Sequence, residues 1–168
     1  MTLKKLDAGI FVDTTKIDKI KSLDAIIFDC DGVLIDITNS YDRAIKKTVD
    51  FVLKEMAQID LPNTVTTQMI EGFKATGGFN DEVDATYSLI LSIVAAKKLN
   101  KPIPQFIFDV IKNSDQSGIQ SVEKYLDTLR VDLSEIRKKL AYPGPHDTNV
   151  LYSTFDEIFY GTKLYYEL

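Results

Sequence analysis

A single cysteine among 168 residues has no partner for an internal disulfide, and the single histidine beside it excludes the common zinc clusters. No apolar run approaches the roughly 18 residues that a membrane-crossing helix requires, so no membrane partner is expected. Basic residues are in the minority. The 20 Lys and Arg against 25 Asp and Glu leave a net charge of −5, which argues against a nucleic-acid backbone as partner. The start of the chain, Met1-Thr2-Leu3-Lys4-Lys5, shows no apolar core of a signal peptide, and a cytoplasmic protein is expected. What is present, 45% hydrophobic and 27% charged residues, is the composition of a globular domain. The length suits one domain, or one small domain carrying an insertion.

One run carries chemistry: Ala25-Ile26-Ile27-Phe28-Asp29-Cys30-Asp31-Gly32-Val33-Leu34-Ile35-Asp36. A strand buried on both faces reads as a continuous apolar stretch rather than an alternating one. Residues 25–28 are therefore expected to form such a strand, with Asp29 and Asp31 at its carboxyl tip, where ligands bind in open α/β sheets. Gly32 lets the backbone turn sharply without a Cβ clash. Two carboxylates this close repel each other unless a cation or a shared proton compensates. Hard oxygen donors of this kind suit Mg²⁺, commonly held by one or two carboxylates together with phosphate oxygens and water. The alternative is that both acids merely close a strand. Cys30 is expected to be a small buried residue at the strand end, with no basic neighbour to activate its thiol.

The same run resembles the phosphotransfer motif of the haloacid dehalogenase superfamily, an apolar strand followed by D-x-D-G-[TV]-[LIV]-x-D, and fills each of its fixed positions. The resemblance implies an α/β fold: the N-terminal part of a Rossmann-like core plus a mostly α-helical cap. It implies a Mg²⁺-dependent phosphatase acting on a small phosphorylated metabolite. Asp29 would attack phosphorus to form an aspartyl-phosphate, and Asp31 would protonate the leaving oxygen and then activate water. The Asp29 side chain and the Asp31 main-chain carbonyl would ligate the metal. Dehalogenases lack an acid at the place of Asp31, so phosphomonoester hydrolysis is the activity implied, and a phosphomutase shares the motif. Asp36 would brace the flap between strand and cap, or simply begin the next helix.

Beyond the motif the pattern is helical nearly to the end. Residues 9–13 read as a short strand and 14–22 as a brief helix or turn. Asn39 or Ser40 caps a helix with apolar positions Tyr41, Ile45, Val49, Val52, Leu53 and Met56. Further helices are expected over 66–74, from Asn80-Asp81-Glu82 with the face Val83, Tyr87, Ile90, Leu91 and Val94, after Pro102, over 118–130, over 132–140 capped by Asp132, and from Asn149 to Tyr160, stopped by Gly161. The expected organisation is 1–38 as core, 39–160 as helical cap and 161–168 as a linker returning to a core. Residues 77–87, beginning Gly77-Gly78-Phe79-Asn80, also resemble a segment of a subgroup of capped members from archaea and bacteria. Their loop precedes a helix N-terminus, where backbone N–H groups favour anions. Gly32, Gly77, Gly78 and Asn80 are thus candidate substrate contacts.

The superfamily's remaining parts are a Ser or Thr after a second strand, a Lys, and a late acidic pair. They are not recognisable here. Lys101-Pro102-Ile103-Pro104 imitates the Lys motif but follows a helix. Gly144-Pro145-His146-Asp147 imitates the acidic one but follows no apolar strand, and His146 is expected to be exposed. The chain therefore reads as the front part of an enzyme, completed by a C-terminal core segment or a second chain, with self-association a further possibility. The reading from a different class is a non-catalytic helical interaction module.

Overall fold

The computed structural model describes residues 2–36 and 38–167. The chain is mixed but mostly helical, and it divides into two units, Met1–Asp36 and Ile37–Leu168.

In the first unit, β1 (Leu3–Asp7) and β2 (Ile10–Asp13) pair antiparallel in the register Leu3↔Asp13 to Asp7↔Ile10, with an irregularity between Lys5 and Asp7. Gly9 takes φ +74° in the connecting turn, a conformation that L-residues reach with strain. Asp13 ends the hairpin by accepting from Thr15 N at 3.0 Å and Thr15 Oγ1 at 2.8 Å, which starts a short 3₁₀ turn, and α1 (Ile17–Lys21) follows. The strand expected over 25–28 is not formed: these residues lie outside every strand and helix. The physical reason is pairing. A strand exists through ladder bonds to a neighbour, and the sheet among the described residues is the β1–β2 hairpin alone. None of the described residues of this unit is buried.

The second unit has its own core. Helices α2 (Arg43–Glu55), α3 (Thr67–Ala75), α4 (Glu82–Lys98), α5 (Ile103–Lys112), α6 (Ile119–Thr128), α7 (Ser134–Leu140), α8 (Val150–Tyr160) and α9 (Thr162–Glu167) follow in order. The central one is α4, packed against α2, α3, α5, α6 and α8. Thirteen of its 17 residues are buried, all round rather than on the single face expected, as a helix enclosed by others must be. Its small side chains, Ala85, Ser88, Ser92, Ala95 and Ala96, are among those buried.

Caps set the boundaries. Thr66 Oγ1 accepts from Met69 N at 3.3 Å, and Asp81 Oδ1 accepts from Val83 N at 2.8 Å. Asn149 Oδ1 accepts from Leu151 N at 3.1 Å and Tyr152 N at 3.2 Å. These bonds satisfy donors that the first helical turn leaves open. Asp132 serves α7 from one residue further out, accepting from Ser134 N at 3.0 Å. One wide π-type turn, Thr38–Asp42, precedes α2. The capping role expected of Asn39 falls on a side chain outside the described residues. Gly161, at φ +80°, ends α8, but the segment expected as a linker then forms α9. No described helix is long and apolar enough to cross a membrane.

Candidate functional site

The Asp-x-Asp run closes into a tight turn built on one carbonyl. Cys30 O accepts from Val33 N at 3.4 Å, Leu34 N at 2.9 Å and Ile35 N at 2.9 Å. Gly32 N donates back to Ile35 O at 2.9 Å, and Asp31 and Ile35 form an isolated β-bridge. Gly32 sits at φ +74°, so the expected need for glycine at this turn is met by an actual left-handed conformation. Asp29 lies just before the turn, with Oδ1 accepting from Cys30 N at 2.8 Å, and Asp31 lies inside it. Both acids are exposed. Cys30 is exposed as well, not buried as expected, because no strand among the described residues pairs with the run to cover it.

For Mg²⁺ the donor chemistry fits. Carboxylates are hard oxygen ligands, and a magnesium site commonly needs only one or two of them with phosphate oxygens and water. Among the described residues no group of three or more His, Cys, Asp or Glu side chains gathers into a protein-only cage. A metal here would rest on Asp29 and Asp31 and on oxygens brought by the ligand.

The second candidate loop, 76–80, is in the helical unit and belongs to its packing. Phe79 is buried against Phe73, with ring centroids 5.0 Å apart. A Cβ at Gly78 would lie 2.5 Å from Gly118 N and 2.7 Å from Asp115 O, so the loops at 78 and 118 touch backbone to backbone. Gly77 takes φ +85°, and Asn80 is exposed just before the capping Asp81. The position of Gly78 is explained by this close approach. Gly77 and Asn80 remain open to solvent on the same loop.

Sequence reading passes over a cluster at the N-terminal end of α4. The Tyr152 hydroxyl donates to Asp81 Oδ2, and the Tyr142 hydroxyl donates to Asp84 Oδ1. Tyr87 OH donates to Glu123 Oε1 at 2.7 Å, and Glu123 faces Arg137 Nε at 3.6 Å. The rings of Tyr87, Tyr142 and Tyr152 pack in series, with centroids 5.0 and 5.7 Å apart. Burial, and then the hydrogen-bonded carboxylates, push all three phenols upward, Tyr152 to about 12. At neutral pH they are therefore fixed hydrogen-bond donors rather than nucleophiles. Burial also raises Asp84, opposed by its bond from Tyr142. The partners are 36 to 71 residues apart in sequence, so no local signal joins them.

The two imitations of further motifs resolve into ordinary structure. Lys101 Nζ stands 5.4 Å from the Phe106 ring centroid, beside Pro102 at the start of α5. His146 is largely exposed and meets Asp156 Oδ2 at 3.1 Å, against the Tyr152 ring. No family model, curated protein or solved structure matches this chain.

Proposed function

We propose that the chain carries the nucleophile-bearing segment of a Mg²⁺-dependent phosphotransferase of the haloacid dehalogenase type, hydrolysing small phosphomonoesters. The observation that supports it is the turn at 30–35, which leaves two carboxylates in the open on either side of Cys30. In this reading an Asp29 oxygen attacks phosphorus, the ester P–O bond breaks, and the Asp31 carboxyl gives its proton to the departing alkoxide. Water then attacks the phosphorus of the aspartyl-phosphate, its proton passes to Asp31, and Asp29 is regenerated as phosphate leaves. Dividing the displacement in two is covalent catalysis by a carboxylate. The Asp29 side chain and Asp31 would hold Mg²⁺, which would supply positive charge between two anions that otherwise repel. The exposed run Ile26, Ile27 and Phe28 is the surface that neighbouring strands of an α/β core would cover.

The test uses the protein purified from its own cells with whatever chains accompany it. Small phosphomonoesters should be hydrolysed with Mg²⁺ and not with a chelator. Asp29→Asn should abolish turnover, because an amide is a poor nucleophile toward phosphorus. Retained activity in that variant overturns the role of Asp29.

A second reading has its own support. The helical unit closes its core without any residue of the motif, since every buried residue among those described lies in it. That arrangement suits a non-catalytic helical interaction module. The absence of hydrolysis from the native preparation, together with stable retention of a second protein, would favour it.

A further inference from the structure

Helix α2 turns Arg43, Lys47 and Phe51 toward the C-terminal end of α8, the spacing of one helical face, with Ser40 of the preceding turn at the same hollow. Two adjoining hollows lie along it, of about 360 and 470 Å³, sharing Lys47, Ile158 and Gly161 as walls. That is the size range of small-ligand sites. Arg43 and Lys47 are like charges one turn apart, which disfavours a helix. Arg43 is also the first residue of α2, at the positive end of the helix dipole, with no acidic residue in that first turn. Among the described residues neither cation has a carboxylate partner, in a chain whose net charge is −5. Asp42, next to Arg43, is buried and outside the groove walls. Among the described residues, Glu157, on the wall of the second hollow, is the one acid lining either, so an anion belongs at the Arg43 end. Each hollow also has an aromatic wall that is 46% exposed, Tyr160 in one and Phe51 in the other.

We propose that this groove binds a small phosphate monoester with a planar apolar body. The phosphate sits on Arg43 and Lys47, and the ring lies against an exposed aromatic side chain. The groove belongs to the helical unit alone and shares no residue with the turn that carries Asp29 and Asp31. Helix geometry puts guanidinium and ammonium within reach of one dianion, and charge-assisted bonds of this kind are the strong ones. The aromatic walls add the apolar contact that separates an aryl phosphate from free phosphate.

The experiment is titration of the full chain with phenyl phosphate, inorganic phosphate and phenol, followed by amide chemical shifts, with a chelator present so that no divalent cation assists binding at Asp29. Phenyl phosphate should bind more tightly than either fragment, with shifts confined to 40–51 and 154–162. Arg43→Gln and Lys47→Gln should each weaken it about tenfold, the loss of one charge-assisted contact. Both side chains are exposed, so neither change threatens the fold, and unchanged melting curves verify that. Phe51→Ala or Tyr160→Ala should reduce phenyl phosphate binding and leave inorganic phosphate unaffected. Asp29→Asn should leave phenyl phosphate binding at this groove unaltered under these metal-free conditions. No detectable phenyl phosphate binding, equal binding by the Arg43→Gln Lys47→Gln double variant, or loss of binding in Asp29→Asn overturns the proposal.

Discussion

A methyl group at position 78 has nowhere to go. Its nearest neighbours would be the backbone of Gly118 and Asp115 at 2.5 to 2.7 Å, and backbone cannot swing aside as a flexible side chain does. Gly78→Ala should therefore destabilise the helical unit by about 1–3 kcal/mol, the usual cost of overpacking, read as a lower melting temperature. A melt equal to the parent would show that the two loops part freely. Asp84 and Asp132 make a second pair of residues with opposite expectations. Burial raises Asp84 above its ordinary value of 3.8, so the folded chain keeps that proton to higher pH than the unfolded chain. Its contribution to stability is complete below the ordinary value and lost as pH rises through the folded one. Asp132 is lowered by its bonds from the Ser134 hydroxyl and backbone N–H, so its contribution is present above the ordinary value and lost as pH falls through the folded one. Asp84→Asn keeps an oxygen for the Tyr142 hydroxyl and should melt higher than the parent at neutral pH, losing that advantage in acid. Asp132→Asn should melt lower at neutral pH and converge with the parent in acid. Melting curves between neutral pH and about pH 3 separate these outcomes, and parallel curves contradict both.

Helix α4 holds the second unit together because it is enclosed by its neighbours. Leu91 is fully buried on it, as are Leu89, Ile90 and Ile93. Leu91→Asp would place a carboxylate there with no cation among its buried neighbours, at a cost of several kcal/mol, on the order of an unpaired buried charge. The protein should lose its cooperative melt or show it at much lower temperature. Asp29→Asn, a change at an exposed residue of the other unit, should leave the melt unaltered. If Leu91→Asp melts like the parent, the packing around α4 is wrong. The tyrosine–carboxylate bonds act on the same element from outside, tying the first turn of α4 to residues 142 and 152. They fix where that helix begins in space, while the cap at Asp81 fixes where it begins in sequence.

The two units differ in how their apolar residues are satisfied. Among the described residues, the helical one buries 31 hydrophobic side chains in one cluster. The first leaves Ile26, Ile27 and Phe28 at 67, 96 and 62% exposure, with Val33, Leu34 and Ile35 also open. An isolated two-stranded hairpin has little stability of its own, and exposed apolar surface of this extent favours association. The purified chain should therefore show helical circular dichroism together with self-association in light scattering. Ile27→Asp should reduce that association without shifting the thermal melt, because the side chain it replaces touches almost nothing. A strictly monomeric parent chain would remove the argument that this surface needs a cover.

Periodicity and capping residues made most of the helical unit readable in advance. Thr66, Asp81 and Asn149 stand at helix starts, Gly161 at a stop, and the faces through Ile45, Val49 and Val52 are buried, because these signals act within one or two turns of chain. The sharp turn at Gly32 was legible for the same reason, since a positive φ is a property of a single residue. The expectation of a strand at 25–28 failed, because ladder bonds depend on a neighbour that the run does not contain. The partners of Tyr87, Tyr142 and Tyr152, the contact between Gly78 and Gly118, and the opposition of Arg43 and Lys47 to the end of α8 were not legible. Each joins segments far apart in sequence, and their meeting follows from how the helices pack around α4, which no local pattern encodes.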